Sequence, residues 1–318
     1  MRLLTDRPET TAAFLPTGVA WTPCRPADLP AVDQALWRIF GGSAVCEYAD
    51  APPMTDSYPE RRIFLIDRAP ISQFEALRTV WREGLTLPDG LVALALEGDG
   101  FVGQRQRGWA ALRGNLHLTL HYRLDLPAAS VEAPLIMLPA VAAAESIRKM
   151  SEGRCAPLIK WVNDLVLPTG KVAGVLTATQ VEGRQVSGVL FGIGVNIDQA
   201  PAILPSPFVP AAATLGDADR ALRGSLPGLC TTLIAALDEA LRALREQGPD
   251  PLYQRYRAGS VCIGQTVGLW PVSCDDLQAP PPTQGRILDI LPDLSLVLEG
   301  HAEPVRNARL ALLSPVDH

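Results

Sequence analysis

The chain has 318 residues, of which 47% are hydrophobic and 19% charged, and its net charge is −6. That length can bury a core and hold one large domain plus a smaller one, and the composition excludes a disordered chain. An acidic balance offers no broad basic field for nucleic acid.

Six cysteines are scattered with no CxxC pair, and only four histidines occur, so a finger-type zinc site is excluded and reduced thiols in the cytoplasm are expected. No signal-like apolar leader and no membrane-length run is read, so no membrane partner is expected.

Residues 1–60 carry one clear signal, a helix over Leu29–Phe40 built on Ala31, Ala35, Leu36 and Ile39 and stopped by Gly41-Gly42. Pro52-Pro53 and Asp56–Pro59 read as loop. No pair of short helices with a basic second member is found, so a helix-turn-helix reader is not expected. Ile63–Ile66 is a strand, and Ser72-Gln73-Phe74-Glu75 is a capping-box pattern opening a helix that Gly84 stops. Leu91–Leu96 is an apolar strand, and 97–113 is a loop rich in Gly, Arg and Gln. Over Asn115–Leu124, Leu116, Leu118, Leu120 and Tyr122 share one face, and His117, Thr119, His121 and Arg123 the other.

A helix is expected over 133–150, then strands at Leu158–Val162, Val172–Gln180 and Gln185–Ile197, the last two joined by a turn at Glu182-Gly183-Arg184. Residues 201–210 are Pro-rich loop, and helices follow at Leu226–Arg245 and Pro251–Arg257. Beyond residue 258 only short strands remain (Thr266–Trp270, Gly285–Leu291, Leu294–Glu299, Pro304–Leu313), which fits a small β-barrel. The division expected is an extension of unclear role over 1–60, a catalytic domain over 61–257 and a barrel over 258–318.

The chemistry concentrates in Lys160-Trp161-Val162-Asn163-Asp164-Leu165 and, past Pro168-Thr169-Gly170, in Lys171-Val172-Ala173-Gly174. Joining a carboxylate to a nucleotide requires charge on phosphate and acyl oxygens to be neutralised, and a lysine at a strand start can do so as a point charge. Gly174 lets a ligand or a neighbouring strand approach its backbone. Asp164 can orient Lys171 or share a Mg²⁺ ion with phosphates, and Asn163 offers a donor and an acceptor. A hairpin with charged residues at its exposed end, and Asn-Asp as turn chemistry, explains the same spacing. Arg105, Arg107 and Arg113, lying among glycines, read equally as an anion-binding loop or a solvated one.

Lys-Trp-x-Asn-Asp followed by Lys-x-x-Gly resembles the signature of the biotin protein ligases, with Val162 where that family has Pro. Phe191-Gly192-Ile193-Gly194-Val195-Asn196 is similar to the family's Gly-x-Gly-x-Asn strand, and Trp109 with Gly114-Asn115-Leu116 to the residues closing its adenylate loop. The resemblance, to the biotin/lipoate A/B protein ligase superfamily and most closely to biotin protein ligases without a DNA-binding domain, covers roughly 60–318. It implies an α+β fold: a mixed-sheet catalytic domain with helices packed on it, then an SH3-like barrel.

By position it implies Lys171, Asp164 and Asn163 as catalytic residues. Arg105, Arg107, Trp109, Gly114, Asn115, Lys160, Gly174, Gly192, Gly194 and Asn196 would bind the nucleotide or adenylate, with Asp164 as the candidate Mg²⁺ ligand. The implied activity is ATP-dependent protein modification: a carboxylic acid, biotin first and lipoate or octanoate second, is adenylated and passed to a lysine of a carrier domain. Edge-strand pairing into a homodimer, as in some relatives, stays open.

The sequence departs from the family in the loop Gly98–Gly108, where Phe101, Val102 and Gln104 stand in place of glycine and arginines. Ile71-Ser72-Gln73 is a poor equivalent of the Ser-Thr-Asn triplet that contacts biotin. The acyl side has therefore diverged more than the nucleotide side. An acyltransferase that needs no ATP, or a binding protein without turnover, are the competing expectations.

Overall fold

The runs Ile63–Ile66 and Leu91–Leu96 are apolar at nearly every position, which suits strands covered on both faces. In the computed structural model, which describes residues 1–14, 21–40, 45–48, 57–273 and 280–313, these runs lie at the centre of a ten-stranded mixed sheet. Ile63, Leu65, Val92 and Leu94 enter one core, and Phe64, Ile66, Ala93 and Ala95 enter the other.

In chain order the elements are β1 (Arg2–Thr5), β2 (Thr22–Cys24), α1 (Ala31–Phe40), β3 (Val45–Tyr48), β4 (Arg62–Ala69), α2 (Gln73–Arg82), β5 (Leu91–Gly98), β6 (Leu116–Pro127) and α3 (Ala128–Met150). Next come β7 (Leu158–Lys160), β8 (Asp164–Leu167), β9 (Gly170–Glu182), β10 (Gln185–Val195), α4 (Leu215–Ala218), α5 (Leu226–Gln247) and α6 (Asp250–Ala258). The last strands are β11 (Thr266–Pro271), β12 (Thr283–Ile290), β13 (Leu296–Leu298) and β14 (Ala308–Leu312).

The large sheet runs β2-β3-β1-β4-β5-β6-β10-β9-β8-β7, with β1, β4 and β5 parallel to their neighbours in that trio. Residues 1–60 therefore add three strands to this sheet. The residues of α3 and α5 pack on one face, and those of α1 and α2 on the other. Ser72 caps α2 by accepting the Glu75 N–H, as the capping pattern predicts, but the Glu75 carboxylate turns to Arg78 instead of closing the box. The β9–β10 hairpin closes through Gly183 at φ +63°.

Three expectations are corrected. The helix α3 begins five residues before 133, at Ala128: Pro134 lies inside it and not at its first turn. By length and composition α3 is apolar enough to cross a membrane, but 67% of its most apolar window is buried within the protein, as in a core helix. Residues 164–167, assigned to no strand and opening on an Asn163-Asp164 pair that suits a turn, form β8.

Third, the expected small barrel is an open antiparallel sheet, β13-β12-β11-β14, among the described residues. The glycine stop at 41–42, the Pro52-Pro53 loop with Asp56, and Cys274 lie outside the described residues.

The sheet is tied to α5 through a buried polar group. The Arg61 guanidinium donates through Nη2 to both carboxylate oxygens of Asp238, at 2.8 and 2.7 Å, and the Tyr122 hydroxyl donates to the same carboxylate at 2.8 Å. Removing either Arg61 or Asp238 strips the other buried charge of its opposite charge. Asp238→Ala should lower stability by about 3–5 kcal/mol, whereas Tyr122→Phe, which removes one hydrogen bond, should cost about 1 kcal/mol. Urea unfolding of the two variants checks the order.

Candidate functional site

Directly paired residues on neighbouring strands put their side chains on the same face of a sheet. One such row crosses the large sheet: Ala95, His117, Gly194, Gly174, Asp164 and Lys160 are successive partners on β5, β6, β10, β9, β8 and β7. The two glycines leave a slot in the middle of the row, and the indole of Trp109 fills it. A Cβ at Gly194 would come within 2.5 Å of the Trp109 ring, and one at Gly174 within 3.6 Å.

At one end of the slot the Trp109 Nε1–H donates to His117 Nδ1 at 3.3 Å. At the other, the Lys171 ammonium stands 5.8 Å from the ring centroid and 2.5 Å from Asp164 Oδ1.

Lys171 reaches this face because β9 is irregular. The register passes from Leu165↔Ala173 to Val166↔Lys171, so Val172 is an extra residue and the strand is re-aimed there. The bulge is held from outside. Lys171 N–H donates to Ala211 O, Ala213 N–H donates to Lys171 O, and Asn196 N–H donates to Val172 O, all at 2.8–2.9 Å. The Asn196 amide adds a donor to Ala213 O at 3.2 Å. Asn196 lines the cavity, and its buried Oδ1 has no hydrogen-bond partner among the described residues.

His117 is buried and lines the same cavity. Its Nε2 lies 3.0 Å from Leu112 O, and a carbonyl only accepts, so Nε2 carries the proton and Nδ1 receives the indole N–H. Burial lowers its pKa to about 4, as it does for His121 on the same face of β6, whose Nδ1 is 2.7 Å from Pro88 O. Both rings are neutral at pH 7.

The cavity above this floor measures about 630 Å³. The start of α2 (Ser72–Phe74), the loop 100–110 and the loop 201–212 wall it, and Gly192 admits the Phe74 ring, which lies 2.8 Å from where its Cβ would be. A second cleft of about 340 Å³ adjoins it, sharing Gln104, Arg107, Asn163 and Asp164, and carries Arg105, Lys160, Arg306 and Arg309 between the Trp161–Asn163 turn and β14.

Of the expected site residues, Asn163, Asp164, Lys171, Gly174, Gly192, Gly194, Asn196, Trp109 and Arg107 meet at the main cavity. Asn163 is also structural, its amide donating to Val175 O at 2.7 Å. Lys160 and Arg105 line only the second cleft: the Lys160 ammonium donates to Phe208 O and burial lowers its pKa, while Arg105 donates to Ala308 O at 3.2 Å.

Gly114 and Asn115 do not line either cavity. Asn115 Oδ1 accepts from the N–H groups of Ile197, Asp198 and Gln199, and Gly114 has φ +88° with Asp198 against it, so the pair clamps the chain leaving β10. Arg113 is spent on Asp67 and Glu97. Missed in the sequence were His117, whose signal was its position on the polar face of β6, and the apolar wall Ile203–Leu204.

The profile of the family described as "Biotin/lipoate A/B protein ligase family" matches residues 80–196. A bifunctional ligase/repressor BirA of Bacillus subtilis is 27% identical over 183 residues, 56% of this chain and 54% of that protein. A biotin–[acetyl-CoA-carboxylase] ligase of Mycobacterium tuberculosis is 31% identical over 189 residues, 56% of this chain and 64% of that one. The matched segments thus span about half to two thirds of these relatives. The structure of a biotin protein ligase from Aquifex aeolicus, solved with biotin and ATP, superposes with a TM-score of 0.58 at 16% identity, over 79% of this chain and 97% of that one, and shows a shared fold.

Two outcomes follow from the geometry. Gly194→Ala pushes a methyl into the indole and should change tryptophan emission. Gly174→Ala meets first the flexible end of Lys171, at 3.3 Å, and should change it less. Second, an unfolded chain whose histidines titrate near 6.5 binds more protons than the fold, where His117 and His121 titrate at about 4. Stability should therefore fall as pH drops from about 6.5 toward 4, by up to about 3 kcal/mol per ring. Urea unfolding at pH 7, 6 and 5, above most carboxylate titration, measures the slope.

Proposed function

We propose that the chain, whose residues 80–196 match the biotin/lipoate A/B protein ligase family, is an ATP-dependent ligase that adenylates biotin and transfers it to a lysine of a carboxylase carrier domain. One observation carries the reading: a cavity whose floor brings Lys171, paired to Asp164, against a tryptophan lying over Gly194 and Gly174. Such a floor offers a flat apolar surface beside a fixed cation, which suits a molecule with a ring at one end and a reacting carboxyl near a phosphate.

In the first step a biotin carboxylate oxygen attacks the α-phosphorus of ATP, and the bond to the β-phosphate oxygen breaks to release pyrophosphate. The Lys171 ammonium, aimed by Asp164, neutralises charge that grows on the acyl and phosphate oxygens. Asn196 lines the cavity, and a turn of its amide would bring the Oδ1, without a partner among the described residues, to an amino hydrogen of adenine. Arg107, Arg309 and Lys160 make the adjoining cleft the cationic side toward which the pyrophosphate departs. In the second step the neutral amine of the acceptor lysine attacks the acyl carbon, the carbon–oxygen bond to phosphate breaks, and AMP leaves.

Asp164 is the one carboxylate lining the main cavity among the described residues. One carboxylate suffices for a Mg²⁺ ion that travels with ATP and keeps phosphate and water as its other ligands, so the residues fit that ion. When bound it would neutralise phosphate charge.

We read the sheet β11–β14 as an SH3-like module, the chain as divided near 258, and its free thiols as those of a cytoplasmic protein. Phe74, Phe101 and Val102 also line the cavity, and the Gln73 amide is committed to His117 O at 3.0 Å. These apolar side chains favour a lipoyl or octanoyl acid as the second reading.

Pyrophosphate exchange with biotin, lipoate and octanoate in turn tests the proposal. Exchange should appear with one of them and fall on the order of 10²–10³-fold in Lys171→Ala. Absence of exchange with every acid, in protein that unfolds cooperatively, sinks the ligase reading.

A further inference from the structure

We propose that His117 is a positioning residue for adenylation: by accepting the Trp109 indole N–H it holds the ring flat in the slot over Gly194 and Gly174, next to Lys171. The inference rests on the ligase reading for its consequence in turnover, but the bond itself does not.

Trp109 sits in the loop between β5 and β6, half-buried, so its ring needs an anchor beyond packing. The slot fixes its plane, yet a flat ring can still slide or turn within a slot. The single polar atom of an indole, its N–H, is what fixes the rotation. His117 is the residue paired across the strands with Gly194, so the acceptor stands at the edge of the slot it serves.

The His117 ring is itself oriented at two further points. Its Nε2–H is bound to Leu112 O, which selects the tautomer with a bare Nδ1, and Phe101 packs against it in a T-shaped contact at 77°, with centroids 5.8 Å apart. The Leu112 carbonyl belongs to the same loop as Trp109. Through this one ring the loop is tied to the sheet at its tryptophan and again at its return, and Phe101 packs its beginning on the same group. The loop between β5 and β6 is thus organised about His117 at Phe101, Trp109 and Leu112.

The test combines a spectroscopic and a kinetic readout. In ¹⁵N-tryptophan-labelled protein the Trp109 indole signal is the one lost in Trp109→Phe. In His117→Phe that signal should move upfield and its N–H should exchange with solvent about tenfold faster. Pyrophosphate exchange at saturating substrates should fall on the order of tenfold in His117→Phe, the scale of one lost hydrogen bond. The same change in a Trp109→Phe background should alter the rate less than twofold, because the two residues act as one unit. His117→Gln, whose amide again presents a donor and an acceptor, should recover much of the loss.

An unmoved indole signal overturns the proposal, and so do independent, multiplicative effects of the two substitutions. Should the wild-type chain exchange with no acid, the ligase reading fails by itself and the indole signal alone decides whether His117 holds Trp109. If His117→Phe does not fold, His117→Met serves in both readouts.

Discussion

The site depends on one packing constraint: a tryptophan can lie flat on a β-sheet only where neighbouring strands present no side chains. The strand β10 makes room for an aromatic ring at three glycines. Gly188 faces Trp81, Gly192 faces Phe74 and Gly194 faces Trp109, each closer than a methyl group would allow without movement. A glycine inside a strand costs roughly 0.5–1 kcal/mol in conformational freedom. Burying an aromatic ring against it offsets that cost. Gly194 alone has a second glycine across from it, Gly174, and so it alone opens a slot wide enough for an indole to reach toward the lysine.

The lysine depends on an irregularity that the slot makes necessary. Regular alternation would put Lys171 on the face opposite Gly174, three residues away, among α3 and α5. The extra residue Val172 reverses that, and the bulge is stapled by backbone bonds to the 211–213 segment and by Asn196. Asn115, in turn, holds the chain just beyond Asn196. Residues far apart in sequence (115, 171, 196 and 213) thus form one scaffold, whose visible outcome is an ammonium 2.5 Å from a carboxylate.

This explains what the sequence disclosed. Long apolar or alternating runs were legible because burial imposes their period, as in β5, β6 and α5. The resemblance picked out residues that meet at the cavity, Lys171, Asp164, Gly174, Gly194 and Asn196 among them; it also named Gly114 and Asn115, which do not line it, and Asn115 is bonded to the chain leaving β10. The short strands β1–β3 were not legible: three or four residues carry no period, and they are placed only by pairing, β1 on the distant β4, β3 on β1 and β2 on β3. The strand β8 was hidden because Asn163-Asp164 has the composition of a turn, and only pairing with β7 and β9 makes a strand of Asp164–Leu167. The bulge at Val172 leaves no mark in composition at all.

The alternation of β6 was read correctly and its meaning was not visible. A strand with leucines on one side and His, Thr, His, Arg on the other suggests a wet polar face, yet His117, Thr119 and His121 are all buried. His121 and His117 share their chemistry, each neutral, each bonded to a loop carbonyl, each beside a tryptophan. They differ in what covers them. The body of α2 lays Trp81 over His121 and seals it in the core. The same helix begins at Ser72–Phe74, beside the cavity, and leaves His117 at its wall. One strand face therefore passes from core to site within four residues, and the length and placement of α2, not the identity of the histidine, decides where the change falls.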